Sequence, residues 1–277
     1  GAAMRAVTDA ATDAVTDAVA GAGSTGDDAA KAEGLRIWTI DRGLLVFRQP
    51  LLATLALHLE LVPVVDERLP TAATDGRAIY FNPYFLRCLS ADERVFLLAH
   101  EVWHNALLHT QRCLAREPDR WNLATDHEIN VLLADSGLTM PSSAVVYPRH
   151  RGCSAEEMYA VIERPNGLTP DERAIGRHRR ADVHLGPSSA PPSADGGAPA
   201  GQTGDATDYG PIAGKRDPNF PGHDDPTARA SWPSRVVRVA GQPGYGVGAL
   251  PGALQRLVQP LVAPTVPWQV ILRDFVC

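Results

Sequence analysis

The chain has 277 residues, a net charge of -6, 44% hydrophobic and 21% charged residues, a balance that supports a packed core and disfavours a nucleic-acid-binding surface. Its cysteines, Cys88, Cys113, Cys153 and Cys277, are too scattered to form the close pair of a thiolate zinc site, and they read as reduced thiols of a cytoplasmic protein. No apolar run approaches the roughly 20 residues that span a bilayer, and Gly1-Ala2-Ala3 ahead of Met4 reads as a cloning remnant with no export signal behind it.

In chain order, residues 1–30 form an Ala/Asp/Gly-rich arm that repeats Thr-Asp-Ala and is expected to be mobile. A domain is expected over 31–165. Apolar residues dominate 31–62 and favour helix, although Leu57, Leu59 and Leu61 alternate with His58 and Glu60 and could start a strand. Asp75-Gly76 signals a turn, after which Arg77 to Asn82 reads as a short strand ending at Pro83. Ser90 and Glu93 have capping-box spacing, which predicts a helix from about Ala91 to Leu114. A second helix is expected from Pro118 or Asp119 to Gly137, and a third from Ser154-x-x-Glu157 to Ile162. Residues 166–235 read as a low-complexity excursion, poor in large apolar side chains over 181–232. Within it the basic cluster Arg177 to Arg180 reads as a solvated loop. Order is expected to resume near Val236, and 236–277 should hold helices over Pro251–Val262 and Pro267–Val276. Because the last apolar run is cut short, this segment is expected to lead into a further domain of a longer protein.

The motif that carries chemistry is His100-Glu101-Val102-Trp103-His104. Four residues turn a helix through roughly 400°, so both imidazoles leave one face about one turn apart and can converge on one ion. Glu101, displaced by about 100°, flanks the metal and is suited to act as general base towards water activated by zinc. On a helical wheel Phe96, Leu97, Trp103 and Leu107 share the histidine face. Two neighbouring histidines on a buried face are costly unless something binds them.

A catalytic zinc site needs a third protein ligand. His109 follows the motif as the third histidine does in metzincins, but the helix-breaking glycine of that pattern is absent. A continuous helix turns His109 roughly 180° from His100, to the surface or a second layer. The second helix offers Asp126, His127 and Glu128. Asp126 shares a face with Leu123, Ile129, Asn130 and Leu133 and should point inward, whereas Glu128, beside Trp121 and Asp135, should point outward. Asp126 is the expected third ligand, His127 the reserve, and Asn130 is placed to orient a ligand. Tyr80, Tyr147 and His150 are candidates for stabilising an oxyanion, with nothing in the sequence to single one out.

These stretches resemble a bacterial family of metallopeptidase domains that precede a von Willebrand factor A-like domain. The resemblance rests on Thr71 to Arg77 with Tyr80-Phe81-Asn82-Pro83, on Ala99 to His104, on Trp121 to Asp126 with Ile129-Asn130, and on Gly152 to Tyr159. It covers about 31–165 and, more weakly, 236–277. It implies a zincin-like fold with zinc held by His100, His104 and Asp126, catalysis by Glu101, and the company of MoxR-type AAA+ ATPases. The fold expected is therefore α+β, mostly helical, with a small sheet packed on the HExxH helix and strand 77–82 as the edge that receives extended peptide. Two functions follow as expectations: a zinc metallopeptidase acting on peptides or proteins, or a metal-binding interaction module in an ATPase assembly without proteolysis. Neither a membrane nor a nucleic acid is expected as partner.

Overall fold

The computed structural model describes residues 26–142, 144–178, 212–223, 225–242 and 250–262. The readings made for residues 1–25, for 179–211 within the low-complexity stretch and for the Pro267–Val276 helix lie outside the described residues, as does Cys277. Cys88, Cys113 and Cys153 are free thiols.

Helix α1 (26–48) takes in the last residues of the expected arm and is followed by α2 (Pro50–Ala56), which opens on a proline whose missing N–H costs a first turn nothing. The alternating stretch after Leu57 resolves as strand β1 (Glu60–Pro63), followed by β2 (Ala72–Thr74) and β3 (Ala78–Phe81). The remaining helices are α3 (Pro83–Cys88), α4 (Ala91–Ala106), α5 (His109–Cys113), α6 (Pro118–Asp135), α7 (Ala155–Glu163), α8 (Pro170–His178), α9 (Pro226–Ala230), α10 (Trp232–Ala240) and α11 (Gly252–Val262). Mostly helical with one three-stranded sheet, the described chain is of the α+β class.

The sheet has the order β1-β3-β2. β1 runs parallel to β3 with Leu61 opposite Ile79, and β2 runs antiparallel with Ala73 opposite Tyr80. Strand 77–82, expected as the peptide-receiving edge, is therefore the central strand, hydrogen-bonded on both sides. The edge strand against α4 is β2. Three residues are too few to show a period of two, which is why the sequence did not reveal it.

The Thr74 to Arg77 turn is built from its own side chains. Asp75 Oδ1 accepts from the backbone N–H of Arg77 and Ala78, Asp75 Oδ2 accepts from the Tyr80 hydroxyl, and Thr74 Oγ1 donates to the Ala78 carbonyl. Gly76 sits at φ +90°, and a Cβ there would stand 3.2 Å from the Arg229 nitrogen. Its carbonyl accepts from Trp232 Nε1 at 2.8 Å, so the turn needs glycine both for conformation and for the close approach of α9 and α10.

Helix α4 starts at the expected capping box, with the Ser90 hydroxyl and Glu93 carboxylate capping each other's backbone. It lies in the main core, where Leu52, Leu55, Val95, Phe96, Leu98, Val102, Ile129, Leu133, Trp232, Val236 and Leu254 are buried together. It does not run to Leu114. The chain breaks at Leu108, which has φ 57°, and restarts as α5. A left-handed leucine costs about 1–2 kcal/mol, and no local breaker residue announces it. Two side chains C-terminal to the break hold it: Arg112 Nη1 donates to the Leu107 carbonyl, and Trp121 Nε1, from α6, donates to the His109 carbonyl.

Helix α6 opens with Glu117 accepting from the Asp119 and Arg120 N–H groups and ends ahead of Gly137 at φ +85°. It is covered by α4 on one side and by α7 on the other. Several stretches expected to lie in the low-complexity excursion are built into the fold: α8, residues 212–223 and α9 all precede Val236. Residues 212–223 are held to the sheet by polar contacts more than by apolar mass. Buried Asp66 accepts from Arg68 Nε and Nη2 and from the Asp217 N–H, while Asp217 Oδ2 accepts from the Val65 N–H and pairs with Lys31 at 2.5 Å. Phe220 completes this clasp, edge-on to Tyr80. Among the described residues no helix is long and apolar enough to cross a membrane.

Candidate metal centre

Helix α4 presents His100 and His104 one turn apart, and α6 meets them with Asp126. The two Nε2 atoms are 2.7 Å apart, and Asp126 Oδ1 lies 3.7 Å from that of His100 and 3.5 Å from that of His104. The three residues are only 2%, 5% and 4% exposed, and Glu101 beside them is 3% exposed. Their donor atoms all lie within 4.8 Å of one another, the arrangement of a group that could hold a metal ion.

Asn130 sets the chemistry of His100. Its Nδ2 donates to the Val145 carbonyl, so its Oδ1 faces His100 Nδ1 at 2.9 Å as an acceptor. His100 therefore carries its proton on Nδ1 and leaves Nε2 bare. A tetrahedral ion with bonds of roughly 2.0–2.1 Å separates its ligand atoms by about 3.3–3.4 Å, and the three measured separations straddle that value. A bare imidazole nitrogen, a second imidazole and a carboxylate, gathered out of reach of solvent, fit a divalent cation.

The reserve ligand does not join them. His127 accepts the Tyr147 N–H on Nδ1 and donates from Nε2 to the His150 carbonyl, so both ring nitrogens serve the backbone. Burial pushes its pKa down and keeps the ring neutral.

Of the two helical-wheel expectations, surface or second layer for His109 and outward for Glu128, the first resolves to the second layer and the other is overturned. His109 is not on the surface. The break at Leu108 turns it back under α4, where its Nδ1 lies 3.2 Å from His104 Nδ1, in a second layer. Glu128 is not outward but buried, because α7 covers that side of α6. Its Oε2 accepts the Ala155 N–H and stands 3.3 Å from His109 Nε2. Both faces of α6 are thus interior, which one helix's sequence cannot reveal when the second cover comes from α7. Asn105 went unnoticed too: its Nδ2 donates to Thr74 Oγ1 at 2.9 Å and ties α4 to edge strand β2.

Of the three oxyanion candidates, Tyr80 spends its hydroxyl on Asp75. His150 Nε2 stands 3.8 Å from Glu172 Oε1. The Tyr147 hydroxyl is buried without a hydrogen-bond partner among the described residues, and burial, with the charges of Asp126 and Glu172, pushes its pKa up to about 12.

Residues 41–277 match the model of a family described as "Putative metallopeptidase domain". The chain belongs to this family. No curated protein and no solved structure matches the chain. Membership in a metallopeptidase domain family implies a metal ion, and in this metallopeptidase domain the match takes in α4 and α6 and with them all of His100, Glu101, His104 and Asp126.

Proposed function

We propose that the domain is a zinc-dependent peptidase with a zincin-like active site, acting on peptide or protein substrates in the cytoplasm, with His100, His104 and Asp126 as ligands and Glu101 as general base. The observation that carries this reading is the meeting of three donor groups from two helices in a buried layer, with a carboxylate one residue after the first histidine. When bound, zinc supplies Lewis acidity: it lowers the pKa of water toward about 7 and polarises a scissile carbonyl. Asn130 holds His100 with its Nε2 lone pair toward the ligand group. Glu101 takes the proton of the attacking water on its carboxylate and delivers it to the leaving amide nitrogen. Edge strand β2, tied to α4 through Thr74 and Asn105, is placed to pair with an extended substrate backbone.

The test is Glu101→Gln. Zinc content of about one per chain should persist while cleavage falls by roughly 10²–10⁴-fold; undiminished cleavage excludes Glu101 as the base. The burial of all four groups favours a second reading. In it the same domain is a metal-bearing interaction module that serves a MoxR-type AAA+ ATPase and a von Willebrand factor A-like domain without proteolysis. Zinc-loaded protein that cleaves nothing in a broad peptide library would select it.

A further inference from the structure

We infer that His109 and Glu128 are positioning residues for His104, a relay that fixes which of its nitrogens is bare. The inference rests on the metal reading above and concerns residues that reading leaves unused.

Glu128 is seven per cent exposed and its Oε2 already gathers the Ala155 N–H at 3.2 Å, with Arg112 Nη2 at 3.6 Å. Arg112 in turn forks onto Glu156, through Nε at 2.9 Å and Nη2 at 2.6 Å. A carboxylate so placed accepts, so the His109 nitrogen facing it at 3.3 Å, Nε2, is the one that carries hydrogen. In a neutral ring the other nitrogen is then an acceptor. His109 Nδ1 faces His104 Nδ1 at 3.2 Å, which places the proton of that contact on His104 Nδ1. His104 Nε2 is left bare.

The outcome matches that on His100, where Asn130 does the same from the opposite side. Two independent hydrogen-bond chains, one from α6 through an amide and one from α6 through a second imidazole, turn both rings so that lone pairs face each other across 2.7 Å. Facing lone pairs repel unless a cation lies against both. The geometry of His109 is not an accident of helix continuation. It requires the left-handed Leu108 and is pinned by Trp121 Nε1 on the His109 carbonyl at 2.9 Å. Outer partners of this kind typically change metal affinity by about 10–100-fold.

The experiment measures zinc affinity by chelator competition on the full chain, alongside unfolding of the metal-free protein. His109→Phe removes the acceptor, and affinity should fall about 10–100-fold. His109→Gln can accept from His104 and donate to Glu128, and should restore affinity to within about threefold of wild type by the same reasoning. Cobalt-substituted protein should show the wild-type visible spectrum in the glutamine variant and a shifted one in the phenylalanine variant. Equal affinity in wild type and His109→Phe overturns the relay. If the phenylalanine variant does not fold, imidazole ¹⁵N shifts of metal-loaded wild type decide. Hydrogen on His104 Nδ1 and His109 Nε2 supports the relay, and the reverse pattern overturns it. Wild type that binds no metal would instead sink the peptidase reading, and the relay with it.

Discussion

Acid should loosen the clasp between the sheet and residues 212–223, and Asp66 gives the effect a size. Burial alone would raise its pKa, but the Arg68 guanidinium and the N–H groups of Asp217 and Arg68 outweigh it and hold the carboxyl down from 3.8 to about 2. A carboxyl depressed in the folded state adds stability that is complete above its ordinary value and disappears as pH falls through the folded one. The window is therefore pH 4 to 2, and at roughly 1.4 kcal/mol per pH unit the contribution is about 2 kcal/mol. Other carboxyls titrate in the same range, so the informative quantity is a difference. Wild type and Asp66→Asn, both stripped of metal, would be unfolded in urea at pH 5 and at pH 2. The stability gap between them should shrink by about 2 kcal/mol at the lower pH, and limited proteolysis should open first within 212–223. A gap of the same size at both pH values would refute the assignment of the clasp to the ionised Asp66.

Two further outcomes are expected from contacts described above. Gly76→Ala forces a Cβ into φ +90° and against the Arg229 backbone, and should cost about 1–3 kcal/mol in chemical denaturation; unchanged stability would show that the turn relaxes freely. Asn130→Leu leaves the His100 Nδ1–H and the Val145 carbonyl without their partner. It should lower zinc affinity about 10–100-fold and the stability of metal-free protein by about 1–3 kcal/mol, both read by chelator competition and thermal melts.

Much of this was legible because local rules decide it. Ser90 with Glu93 and Ser154 with Glu157 mark two helix starts by capping that is satisfied within four residues. The i, i+4 spacing of His100 and His104 and the inward face of Asp126 and Asn130 need only the helical period. What escaped depends on distant partners. The break at Leu108 is pinned by Trp121 of the next long helix, the inward turn of Glu128 is set by α7, and β2 by pairing to β3. The anchoring of 212–223 by Asp66 and Asp217 spans some 150 positions and has no compositional trace.

Helix α6 has no face left to solvent at the level of the site: Asp126 meets α4 while Glu128, two residues on, is gripped from α5 and α7. Such a helix cannot roll to improve one contact without spoiling the other. Fine adjustment around an arriving ion must then come from the side chains themselves, or from α6 and α7 shifting as one block against α4. A substitution in α7, far from any ligand, would be felt at the histidines as a change in spacing.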